Sequence, residues 1–167
     1  MLGKIYKIPE KKACEILEKY IYGKWESTFR GIKITRDVID ALNELRNMKL
    51  KLGVLSDFPV ERKLRFLGLE GIWDCAVCSE ITGYLKPNPE SFLYAAKRLN
   101  VPVHNILFVG NNYFYDIIGA SNVGMKTAHL SLRKSKAGSA ADFTFSEYSS
   151  LVEFIKNETG GNCKADE

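Results

Sequence analysis

No apolar run in this chain approaches the roughly 18 residues that a membrane-crossing helix needs. The longest, such as 106–109, suit short buried strands. The N-terminal stretch, Met-Leu-Gly-Lys-Ile-Tyr-Lys-Ile-Pro, has no apolar core and no cleavage signal, so a soluble, cytoplasmic protein is expected. Histidine is scarce: His104 and His129 lie 25 positions apart and match no metal-ligand spacing. Four cysteines are too few for a disulfide framework in 167 residues. Cys75 and Cys78 do spell C-x-x-C, but within Trp-Asp-Cys-Ala-Val-Cys they read as strand residues whose side chains point to opposite faces. A redox pair would need that motif at a helix N-terminus, and zinc a second close pair.

What is present is ordinary globular material. The chain is 46% hydrophobic and 26% charged, which excludes disorder and fits one domain burying about two-thirds of its unfolded surface. The net charge of +4 is uneven, with nine Lys or Arg against four Glu in residues 1–36. No aromatic stacking motif accompanies those bases, so their pattern is the solvated face of an amphipathic helix, not a nucleic-acid surface.

Helices and strands alternate along the chain. Ala13, Ile16, Leu17, Tyr20 and Ile21 recur at helical spacing from Pro9 to Tyr22, with Gly23 expected to close that helix. Thr35 is a fitting N-cap for a second helix with the stripe Val38, Ile39, Leu42 and Leu45. A strand over 50–55, a helix over 59–67 stopped by Gly68, and a strand over 74–78 follow. Asn88-Pro89-Glu90 is a cap, a first-turn proline and a favourable acid, opening a helix to Leu99. Then come a strand over 106–109, a helix over 113–122, a strand over 125–131, a polar loop over 133–141, an edge strand at 142–145 and a helix over 148–157. Such alternation predicts right-handed crossovers and a parallel sheet covered on both faces. Chemistry in such sheets gathers at the carboxyl ends of the strands.

Three strand ends carry polar residues. The first leads through Ser56 and Asp57 into a helix, where a hydroxyl and nearby N–H groups can hold an anion. Taken alone, Ser56 or Asp57 reads more readily as a helix cap than as an anion holder. After the second strand, Pro87 and Pro89 stiffen the loop presenting Lys86, a compact cation suited to phosphate. The third ends in Gly110-Asn111-Asn112, with Asp116 on the next helix, within reach of a cation or of Lys86. Capping by Asn111 or Asn112 is the plain alternative there. The segment from Gly119 to Thr127 has a P-loop outline, but Met125 interrupts its Gly-Lys and it runs from helix to strand, the wrong way to cradle phosphates.

In this order on successive strand tips, these segments resemble the haloacid dehalogenase (HAD) superfamily, mostly magnesium-dependent phosphatases that proceed through an aspartyl-phosphate. Ser56 is similar to the second family motif, the hydroxyl that bonds the phosphoryl group. Lys86 is similar to the third, the cation that offsets charge. The stretch Gly110 to Asp116, with Gly119-Ala120 and Gly124-Met125, is similar to the fourth, the acidic loop that supports the metal. The resemblance implies a Rossmannoid core, a three-layer α/β/α arrangement with a parallel sheet, over residues 34–158. It also implies a helical-cap remnant over 1–33, while the Gly-Gly-Asn-Cys stretch after Glu158 reads as a disordered tail over 159–167. Ser56, Asp57 and Lys86 would bind phosphate, and Asn111 and Asp116 would hold Mg2+ weakly.

Two departures set this chain apart from the family pattern. The family's first motif is a strand ending Asp-x-Asp, nucleophile and general acid/base. Here no aspartate precedes Asp37 and no Asp-x-Asp occurs. The chain is therefore expected to lack the central strand, between those ending at Ser56 and Gly110, and the front of the cap. The fourth motif usually has Gly-Asp where this chain has Gly110-Asn111, and a neutral Asn weakens magnesium binding. The implied function is a phosphomonoester hydrolase acting on a small phosphorylated metabolite and inactive alone. The alternatives are a non-catalytic scaffold that keeps an anion pocket, or a dehalogenase-type hydrolase. Without the central strand, the two flanking strands are expected either to pair directly or to find a partner. That partner would be a complementing N-terminal fragment or a homodimer exchanging N-terminal segments. Residues 2–8 alternate poorly for a buried strand.

Overall fold

The computed structural model describes residues 8–29, 31–132 and 139–160. Its first helical stretch is α1 (Glu10–Leu17), a π-helical segment (Glu18–Tyr22) and α2 (Gly23–Phe29). Gly23 does not close the helix as expected; its φ of −66° is right-handed and the chain runs on. Nothing positions the left-handed residue that a glycine stop requires. Helix α3 (Arg36–Asn47) follows Thr35 and buries Ala41 and Leu45.

The core alternates as predicted: β1 (Gly53–Ser56), α4 (Val60–Phe66), β2 (Cys75–Cys78), α5 (Pro89–Leu99), β3 (Leu107–Gly110). A π-helical turn (Tyr113–Ile118) then runs into α6 (Gly119–Ser121), followed by β4 (Lys126–Leu130), β5 (Phe143–Phe145) and α7 (Tyr148–Gly160). Gly68, with φ of +66°, follows α4 as its stop, and the Asn88 side chain accepts from the Glu90 N–H at 3.0 Å to cap α5. Residues 159 and 160, expected in the tail, continue α7, while 161–167 lie outside the described residues.

All strand pairs are parallel. Among the described residues they form two sheets, β1-β2 and β3-β4-β5. The direct pairing expected of the strands ending at Ser56 and Gly110 is therefore not made: β1 pairs only with β2, and β3 only with β4. The two sheets nonetheless share their helical layers. On one face, Leu55 of β1 and Phe108 of β3 both pack on the cluster of Phe92, Ala96, Ala120 and Met125 from α5, α6 and the turn into β4. On the other, Ala41 and Leu45 of α3, Val152 of α7 and Leu52 before β1 form one cluster, and Ile155 of α7 and Leu107 of β3 both pack on the cluster of Ala128, Phe145 and Leu151. Burial against common helices, not a continuous ladder, joins the two sheets. Residues 1–7, which carry most of the segment expected to exchange, lie outside the described residues.

Candidate functional site

The site forms where β1 and β3 end. Gly53 to Ser56 pair in register with Cys75 to Cys78, which places Ser56 at the carboxyl tip of β1, 7% exposed. Its Oγ accepts from the Phe58 N–H at 3.2 Å and from Lys63 Nζ at 2.7 Å. Lys63 stands on α4, and helical side chains lean toward the N-terminus of their helix, here toward the β1 tip. Burial, then the neighbouring Lys86, pushes the Lys63 amine below the usual lysine range.

Asp57 faces inward to the loop that carries Lys86. Its Oδ1 accepts from Ser79 Oγ at 2.6 Å and from the Lys86 N–H at 3.0 Å. Ser79 is fully buried at the end of β2. The carboxylate thus spans from the β1 tip to the β2 turn and fixes where the Lys86 backbone passes. Ser91 of α5 adds a second tie, donating to the Tyr84 carbonyl at 3.0 Å.

Lys86 Nζ reaches Asp116 Oδ1 at 2.6 Å, with the two side chains 13% and 8% exposed. The ammonium also lies 5.9 Å from the centre of the Phe108 ring, a cation–π distance. The second oxygen of Asp116 accepts from the Asn112 N–H at 3.0 Å, and Asn112 Oδ1 accepts from the Tyr115 N–H at 3.0 Å. A partly buried ion pair is sustained only by such short geometry with the remaining oxygens satisfied. Gly110 makes room for it: a Cβ there would lie 2.3 Å from Asp116 Cβ.

The structure therefore brings together Ser56, Asp57, Lys86 and Asp116, and leaves Asn111 an exposed residue. His129 Nε2 lies 3.3 Å from the Asn111 carbonyl oxygen. Both oxygens of Asp116 are engaged, and among the described residues no three His, Cys, Asp or Glu side chains are grouped to hold a metal ion. These residues do not by themselves fit the six oxygen ligands of magnesium. Sequence reasoning missed Lys63 and Ser79. The signal available for Lys63 was a lysine seven positions after the strand-tip serine, where the helix direction points it back at Ser56.

A family model of haloacid dehalogenase-like hydrolases matches residues 10–124. The chain is 35% identical over 133 residues to the glyceraldehyde 3-phosphate phosphatase of Methanopyrus kandleri, covering 78% of this chain and 56% of that protein. It is 30% identical over 165 residues to that of Methanocaldococcus jannaschii, covering 87% and 72%. The crystal structure of the HAD phosphatase from Thermococcus onnurineus superposes with a TM-score of 0.69 at 26% identity, covering 92% of this chain and 68% of that one. This chain thus spans little more than half of the Methanopyrus phosphatase. The motifs at three strand tips, the parallel α/β core and these relatives agree, and the chain belongs to the haloacid dehalogenase-like hydrolase family.

Proposed function

We propose that this chain is the phosphoryl-binding part of a phosphate-ester hydrolase acting on a small phosphorylated metabolite. The carrying observation is the short Lys86–Asp116 pair at the β3 tip, set across from the Ser56 hydroxyl at the β1 tip. In this reading Ser56 donates to one phosphoryl oxygen and Lys86 offsets its charge. Asp116 aims the ammonium, and Asp57 positions the loop behind it instead of touching the anion. Phosphoryl transfer is mostly positioning and charge stabilisation, which these four groups supply. Attack itself needs a nucleophile, and positioning does not replace one.

The attacking carboxylate would come from a strand lying between β1 and β3, whose facing edges have no ladder partner among the described residues. A complementing N-terminal segment ending in Asp-x-Asp is the natural donor, and exchange within a homodimer is a second route. Residues 1–33 belong in this reading to a helical cap. Tyr22 donates to Glu80 at 2.6 Å and Arg62 pairs with Glu18, so two contacts tie that helix to the core. A cytoplasmic setting fits the free thiols of Cys14, Cys75 and Cys78. Magnesium enters only with donors beyond those of this chain.

The test is complementation. The chain with magnesium and an aryl phosphate is expected to show no turnover above a Ser56→Ala, Lys86→Ala double variant. Adding an in-frame strand that ends in Asp-x-Asp is expected to restore turnover, and changing its first Asp to Asn to remove it again. Turnover by the unextended chain that is lost on Ser56→Ala would contradict the reading.

A further inference from the structure

A serine hydroxyl has one proton to donate and two lone pairs to accept with. Both accepting positions of Ser56 Oγ are taken, one by the Phe58 N–H at 3.2 Å and the other by Lys63 Nζ at 2.7 Å. What remains is the proton. Ser56 is buried at the end of a strand, so its surroundings leave the hydroxyl few ways to turn.

We propose that Lys63 is a positioning residue that fixes Ser56 as a hydrogen-bond donor and, with Lys86, makes the site selective for a doubly charged tetrahedral oxyanion over a carboxylate. This rests on the phosphoryl-binding reading and narrows its substrate class. Lys63 acts through Ser56, and its charge adds to that of Lys86 on the same side of the anion. A dianion gains from both cations, whereas a carboxylate of single charge gains about half as much from each. The lysine is partly desolvated, which raises the strength of any interaction it makes with an anion.

Among the groups that bear on Lys63 electrostatically, Lys86 opposes its charge, and Cys78 and Asp57 favour it. Because burial and Lys86 lower its pKa, Lys63 loses its proton at a pH below that of an ordinary lysine. Sulfate keeps its charge of two across the whole neutral and alkaline range, so any pH dependence of its binding belongs to the protein.

Calorimetric titration of the 167-residue chain with sulfate, and separately with acetate, tests the assignment. Wild type is expected to bind sulfate more tightly than acetate. Lys63→Met is expected to weaken sulfate by about tenfold, in line with loss of a charge-assisted hydrogen bond, and to leave acetate less affected. Lys63→Arg should keep sulfate affinity within about threefold and hold it to higher pH than wild type. A purely structural lysine would not shift that alkaline limit. Thermal melts establish that each variant is folded. Should Lys63→Met fail to fold, the alkaline limits of wild type and Lys63→Arg decide alone, and coincident limits overturn the proposal. Sulfate binding that survives Lys63→Met but is lost in Lys86→Ala overturns the role of Lys63 and leaves the phosphoryl-binding reading standing. Absence of sulfate binding in wild type overturns both.

Discussion

A methyl group on Gly110 would sit 2.3 Å from Cβ and 2.6 Å from Cγ of Asp116, closer than any real side chain approaches. The last residue of β3 is thus a glycine because the carboxylate that aims Lys86 lies directly over it. Gly110→Ala is expected to displace Asp116, costing roughly 1–3 kcal/mol as an overpacked position. Urea denaturation reads the stability. Loss of sulfate binding in the same variant would show that Asp116 had moved away from Lys86.

Breaking the ion pair should cost more than removing it. Lys86→Met leaves Asp116 buried and without its cation, which typically costs about 3–5 kcal/mol. The double variant Lys86→Met, Asp116→Leu removes both charges and is expected to recover most of that loss. A double-mutant cycle by chemical denaturation measures the coupling, and additive losses would show the pair to be energetically idle.

The contact between Tyr22 and Glu80 carries a pH signature. Burial, then the hydrogen bond and charge of Glu80, raise the Tyr22 phenol above its ordinary value of 10.0. Below pH 10 the phenol is protonated in folded and unfolded chains alike, so the contact contributes fully. Above it the unfolded phenol ionises first, and that contribution is lost as pH rises. The difference in melting temperature between wild type and Tyr22→Phe should therefore be constant from pH 7 to 9 and shrink above about 10. A difference that grows in that range would reverse the assignment.

Magnesium is expected to bind the chain alone weakly, in the millimolar range or beyond calorimetric reach. Asp116 has both oxygens committed, to Lys86 and to the Asn112 N–H, and Asn111 brings no charge. Asn111→Asp is expected to tighten binding by restoring a carboxylate beside Gly110. Micromolar affinity in wild type would mean a donor set other than these residues.

The two inner strand edges should respond to a strand peptide. An extended apolar peptide offered to the chain is expected to raise its melting temperature and protect the β1 and β3 amides from hydrogen exchange. Protection confined to β5, the other end of the larger sheet, would place the sticky edge elsewhere.

The order of elements, the parallel α/β class and the tip residues Ser56, Lys86 and Asp116 were all legible in the amino-acid order. Periodicity of two or 3.6, caps such as Asn88, and the stop at Gly68 are set by neighbours a few positions away. Gly23 misled because a glycine ends a helix only when the chain must turn there, and here it continues to Phe29. The tertiary structure alone decided that the parallel strands divide into β1-β2 and β3-β4-β5, since ladder pairing depends on residues far apart in the chain. It alone brought the Asp57 carboxylate to Ser79 and the Lys86 loop, and set Lys63 on the Ser56 hydroxyl. A side chain's type and spacing say what it is able to bond; only the packing of distant segments settles which partner comes within 3 Å of it.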